Sequence, residues 1–161
     1  DDVLVGTDGN DRIEGSVNPF DRDGDGFDRL IGGGGNDVLI GGTNAHPRGS
    51  YYTDTYVFGS DSGQDLIIGF APQLGSGWPG TAGPSYDRLE IVEDINGSGI
   101  TTQANALSRV TSTADGALVN LGSTTTNGVT SANTVLLAGI DADTLTANHF
   151  QIADPVLMDV M

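Results

Sequence analysis

Six aspartates recur along the first part of the chain, at positions 2, 11, 28, 37, 54 and 65. Asp2 and Asp11 are 9 residues apart, as are Asp28 and Asp37; Asp11 to Asp28 and Asp37 to Asp54 are each 17, or 9 plus 8. Turn-forming residues precede these aspartates and apolar ones follow. Gly32-Gly33-Gly34-Gly35-Asn36-Asp37 leads into Val38-Leu39-Ile40, Gly6-Thr7-Asp8-Gly9-Asn10-Asp11 into Arg12-Ile13-Glu14, and Asp23-Gly24-Asp25-Gly26-Phe27-Asp28 into Arg29-Leu30-Ile31. Asp2 heads Val3-Leu4-Val5, and degenerate copies end in Asp54-Thr55-Tyr56-Val57 and Gln64-Asp65-Leu66-Ile67-Ile68. Short carboxylates held in tight turns are what a hard cation takes. Ca²⁺ accepts about 6–8 oxygens at about 2.3–2.6 Å in flexible geometry, whereas Mg²⁺ demands a tighter octahedron.

The elements that must position these carboxylates follow from the same nine residues. Six turn formers and three strand formers give short strands joined by tight turns, an all-β chain. Glycines serve where φ is positive or backbones approach closely. The only reliably large apolar position is the eighth, Leu4, Ile13, Leu30 and Leu39, so these side chains are expected to point inward. Strands stacked about 4.8 Å apart would bring successive carboxylates too close to ionise together without a counter-ion. The two spacings of 17 mark insertions, over 15–22 and 44–53, and each holds one proline, Pro19 and Pro47, as a loop would.

Composition narrows the classes further. The chain has 161 residues, enough for one domain or two small ones, and a net charge of −16. Of the acids 19 are Asp and 3 are Glu; all six bases are Arg. No basic patch can form against phosphates, which excludes nucleic acid. The longest apolar runs fall far short of the roughly 20 residues of a membrane span, and the first residues are not expected to act as a signal peptide. With no Cys there are no disulfides or thiolate metal sites. Hydrophobic residues make up 37 % and cluster as in strands, so a folded core is expected. Motifs for catalysis are lacking: there is no His-Glu-x-x-His, Gly-x-Ser-x-Gly or P-loop, and His46 and His149 lie far apart. A non-catalytic module is expected, whatever the activity of a larger protein around it.

The three full units resemble the GGxGxDxUx nonapeptides of the RTX, or haemolysin-type calcium-binding, family. The resemblance spans about residues 1–68 and implies a parallel β-roll, two nonapeptides per coil, over 1–70. It implies that loop 6–11 stacks on loop 32–37 and that loop on 60–65, while on the other edge the fragment at Asp2 stacks on 23–28 and 23–28 on the loop ending at Asp54. The family's sixth-position ligand carries over to Asp11, Asp28 and Asp37, then to Asp54 and Asp65, with Ca²⁺ as cofactor. Gly6, Gly9, Gly32, Gly33 and Gly35 line the same turns. Asp8, Asp23 and Asp25 stand where the family mostly offers backbone carbonyls.

Residues 71–86 are rich in Gly and Pro and read as a loop. Residues 87–161 read as a β-rich cap, with strands over 87–92, 117–121 and 134–138, a Ser/Thr/Asn/Gly-rich connection between the last two, and one helical turn over 143–148 capped by Asp141 or Asp143. This half resembles the C-terminal flank of secreted RTX proteins. The resemblance implies a bacterial, extracellular location, adjacent domains of a larger protein, and an uncleaved type I secretion signal near Asp159-Val160-Met161. The function expected is a calcium-binding module that folds outside the cell; the alternative is a carbohydrate-binding or adhesion module. By parity the two insertions are expected side by side, gathering Phe20, Arg22, His46, Arg48, Tyr51 and Tyr52 into a patch suited to an acidic polysaccharide.

Overall fold

A computed structural model of the chain describes residues 1–15, 26–42, 52–73 and 86–155. The first six strands are β1 (Val3–Val5), β2 (Arg12–Glu14), β3 (Arg29–Ile31), β4 (Val38–Ile40), β5 (Thr55–Phe58) and β6 (Gln64–Ile68). They alternate between two sheets. The first sheet runs β1-β3-β5 and continues into β7 (Arg88–Val92) and β11 (Phe150–Ala153), with every pair parallel. The second runs β2-β4-β6 in parallel and continues into β10 (Val129–Ala138), β9 (Gly116–Thr126) and β8 (Val110–Ser112). Beyond β6 the nine-residue period is lost: β10, β9 and β8 pair antiparallel.

Three-residue strands are too short to stand alone. Here each is held by its neighbours and by one inward side chain. Leu4, Leu30, Tyr56, Leu89 and Phe150 are successive register partners across the first sheet. Ile13, Leu39, Ile67, Leu137 and Ala117 do the same across the second. Leu30, Leu39, Tyr56, Ile67, Phe150 and Leu137 are fully buried between the sheets. Each such side chain contributes on the order of 2 kcal/mol. Arg29 on β3 reaches past β5 to Glu90 on β7 in a two-pronged ion pair, at 2.6 and 2.8 Å, which ties the repeats to the later strands.

The alternation creates two edges. Along one, which we call the tight edge, the turns 6–11, 32–37 and 59–63 carry the chain from the first sheet to the second. Along the other, the long edge, segments 15–28, 41–54 and 69–87 carry it back. Both insertions therefore leave from the long edge in adjacent coils. Where they rejoin the described chain, the rings of Phe27 and Tyr52 meet edge-on at 5.4 Å. Of the patch expected from parity only Tyr52 is described; Phe20, Arg22, His46, Arg48 and Tyr51 lie outside the described residues, as does Asp159-Val160-Met161.

The second half holds elements its sequence reading lacks, β8, β11 and a short helix over Gln103–Leu107, and differs from that reading between β9 and β10 as well. The stretch between 121 and 134 is mostly strand, not connection, because its threonines are β-branched and the turn itself needs only Asn127 and Gly128. Both have positive φ, 52° and 79°, as a two-residue hairpin turn requires. The helical turn near 143–148 is a pair of 3₁₀ turns, Ala142–Thr144 and Ala147–His149, the first capped by the Asp141 side chain, which accepts from the Asp143 amide. Among the described residues no helix is long and apolar enough to cross a membrane.

Candidate metal centre

The aspartates that end the turns form two ladders. On the tight edge the Asp11 amide donates to Asp37 Oδ1 at 2.8 Å, and the Asp37 amide to Asp65 Oδ1 at 2.9 Å. On the long edge the Asp2 amide donates to Asp28 Oδ1, the Asp28 amide to Asp54 Oδ1 and the Asp54 amide to Asp87 Oδ1, at 2.8, 3.0 and 2.9 Å. Each carboxylate thus reaches back one coil. The residue before it reaches forward: Asn10 Oδ1 accepts from the Asn36 amide at 2.9 Å, and Asn36 Oδ1 from the Gln64 amide at 2.8 Å. On the long edge Asp1 Oδ1 likewise accepts from the Phe27 amide. Backbone amides in these turns would otherwise be orphaned.

Turn geometry presents the second oxygen of each carboxylate. Asp11 and Asp37 fold back over the first glycine of their own turns. A Cβ on Gly6 would lie 2.8 Å from Asp11 Oδ2, and one on Gly32 would collide with Asp37 Oδ2. Gly35 holds φ at 105°, and a Cβ there would lie 2.7 Å from the Gly9 carbonyl carbon, so no other residue fits between stacked turns.

The second oxygens fare differently. Asp11 Oδ2 takes the Thr7 amide at 2.6 Å and the Thr7 hydroxyl at 2.8 Å. Asp87 Oδ2 takes the Ala71 amide at 2.8 Å. Asp37 Oδ2 is buried and receives no hydrogen bond. An ionised oxygen in that state costs several kcal/mol. Burial accordingly pushes the Asp37 carboxyl above its ordinary range; the Asp11 amide opposes this and the Asp11 charge adds to it. Asp65 is pushed up to about 7, by burial first and then by the Asp37 charge, against the pull of the Asp37 amide. On the long edge the buried Tyr56 phenol is held well above its ordinary value by burial and by the charges of Asp87, Asp54 and Asp28.

These donors suit a hard cation. Among the described residues no three carboxylate or imidazole side chains converge on one point, so a cation between coils would draw part of its shell from turn carbonyls. Ca²⁺ tolerates such a mixed all-oxygen shell, and the unpartnered Asp37 Oδ2 is an oxygen it would satisfy.

Of the expected site residues, Gly6, Asp8, Gly9 and Asp11 lie in the first tight turn, Gly32, Gly33, Gly35 and Asp37 in the second, and Asp65 follows the third, inside β6. Asp8 is exposed. Asp28 and Asp54 are brought together on the long edge, away from Asp37 and Asp65. Asp23 and Asp25 lie outside the described residues. Five participants escaped the sequence reading: Asp1, Asn10, Asn36, Tyr56 and Asp87. Asp87 carried a signal, since Asp87-Arg88-Leu89 repeats Asp28-Arg29-Leu30.

No curated protein matches the chain. A crystal structure of the extracellular lipase LipA from Serratia marcescens superposes with a TM-score of 0.50 at 21 % identity, over 94 % of this chain. The chain spans 21 % of the length of that lipase, and at this identity the likeness concerns the fold. Residues 1–17 and 22–45 match the RTX calcium-binding nonapeptide repeat, in four copies: the N-terminal part of this largely β-stranded chain carries an RTX-type calcium-binding repeat.

Proposed function

We propose that the chain is a calcium-responsive folding module of a larger, secreted bacterial protein. It is a parallel β-roll followed by a β-rich cap, and Ca²⁺ bound between tight-edge coils drives it from unfolded to folded outside the cell. The observation that carries this reading is the buried Asp37 Oδ2 with no partner, set between Asp11 and Asp65. Asp11, Asp37 and Asp65, with carbonyls of turns 6–11, 32–37 and 60–65, would hold the ion. The ion supplies positive charge where stacked carboxylates otherwise repel. Binding and folding are then one equilibrium, and a site occupied at about 100 times its dissociation constant adds roughly 2.7 kcal/mol.

The likeness to an extracellular lipase supports the location, as does the repeat. The module itself is read as non-catalytic: its carboxylate pairs are accounted for by the turns, and an acid on a cation is a poor proton donor. Adjacent domains of the parent protein are its first partners, and a type I secretion apparatus fits a chain that leaves the cell unfolded. Circular dichroism tests the reading. The chain in EDTA is expected to lack most of its β signal and to gain it cooperatively with calcium, magnesium being much weaker. A chain equally folded in EDTA would overturn it.

A further inference from the structure

The long edge contains a polar group that the repeat pattern does not call for. Tyr56 occupies the inward position of β5, where its register partners on either side are Leu30 and Leu89. Its ring is fully buried, and its hydroxyl oxygen accepts from the Gly41 amide at 3.1 Å. A Cβ built on Gly41 would meet Asp54 Oδ2 and, at 2.5 Å, the Tyr56 hydroxyl. The phenol and the second Asp54 oxygen therefore flank one small space, beside the first glycine of their segment. This is the place that Asp37 Oδ2 holds beside Gly32 on the tight edge. There the matching inward residues are Leu39 and Ile67, which bring no polar atom.

A buried phenol needs an acceptor for its hydrogen, and a carboxylate is a strong one. We propose that the Tyr56 hydroxyl closes the Asp54 space in place of a cation, so that the chain takes calcium on the tight edge at Asp37 and none at Asp54. Two further observations support this. Asp87, the next rung, already spends both oxygens on the amides of Asp54 and Ala71. The sequence between Gly42 and Asp54 has lost the glycine pattern that would offer turn carbonyls to an ion. A Tyr-for-Leu exchange two residues after Asp54 thus frees this segment from the repeat, which is where an insertion stands.

The inference rests on the calcium reading and is tested separately from it. Calcium ions bound by the full chain are counted by native mass spectrometry, for the parent and for Asp37→Asn, Asp54→Asn and Tyr56→Phe. Thermal midpoints are measured in saturating calcium. Asp37→Asn is expected to lose at least one ion, while Asp54→Asn and Tyr56→Phe keep the parent's count. Tyr56→Phe is expected to lower the thermal midpoint by about 3–10 °C, and Asp54→Asn to lower it less in the Tyr56→Phe background than in the parent. Loss of an ion in Asp54→Asn, or an unchanged midpoint in Tyr56→Phe, would overturn the Tyr56 proposal. An unchanged count in Asp37→Asn would instead overturn the calcium reading of the tight edge.

Discussion

The two edges of this molecule are built from the same device and finished differently. On both, an aspartate at the end of each connection accepts the amide of its counterpart one coil away. On the tight edge the connections are short, the inward residues are aliphatic, and a buried Asp37 oxygen is left over. On the long edge the connections span more residues, a tyrosine hydroxyl stands beside Asp54, and the last rung, Asp87, is closed by the Ala71 amide. The difference teaches that the nine-residue register does not by itself fix what each carboxylate meets. Backbone-to-carboxylate bonds set the register on both edges, while the surroundings of the second oxygen vary from rung to rung: Asp37 Oδ2 is buried without a hydrogen bond, Asp54 Oδ2 stands beside a phenol and Asp87 Oδ2 takes the Ala71 amide.

The comparison is most severely strained by removing one rung from each edge. Asp37→Ala should weaken calcium binding by at least tenfold, since it deletes the middle rung of the tight ladder and leaves the charge of its neighbours unbalanced. Asp54→Ala should shift the calcium midpoint only through the stability it costs, and so by clearly less than Asp37→Ala. Calcium titrations followed by circular dichroism measure both, and equal shifts would erase the distinction between the edges.

A smaller effect sharpens the same comparison through pH. The Asp65 carboxyl is raised to about 7 in the folded chain, against roughly 3.9 unfolded. A group raised in this way binds more protons folded than unfolded, so its contribution favours the metal-free fold below about pH 4 and is lost as pH rises through 7. Calcium must displace that proton. The calcium midpoint should therefore fall as pH rises from 5.5 to 7, by up to about tenfold per unit, and level off above 7. Titrations at fixed ionic strength check it; a midpoint independent of pH over this range would show that Asp65 is not in the site.

Much of this was legible in the amino-acid sequence, for a physical reason. Six turn formers followed by three strand formers leave little choice of local structure, and the recurrence at nine residues sets Asp11 with Asp37 and Asp28 with Asp54. What was not legible depends on contacts that cross the breaks in that period. Asp87 stands 33 residues after Asp54, beyond a Gly/Pro-rich stretch, and only its Asp-Arg-Leu signature links it to Asp28. Asn10 and Asn36 read as ordinary turn residues, because a forward-reaching amide bond leaves no mark on spacing. Tyr56 stands in a degenerate copy that the sequence gives no role, and the role proposed for it rests on where its oxygen ends. The threonine-rich strands on either side of Asn127-Gly128 read as a connection, since composition there favours turns and strands equally.

Residue-resolved amide hydrogen exchange, with and without calcium, tests most directly whether the cation holds the tight edge. The amides of Asp11, Asn36, Asp37 and Gln64 each donate to a side chain of the neighbouring coil. Saturating calcium should slow their exchange by at least a hundredfold relative to EDTA, where they should exchange nearly as freely as in an unfolded chain. Full protection of these four amides in EDTA would contradict it, for the ladder would then stand without the metal.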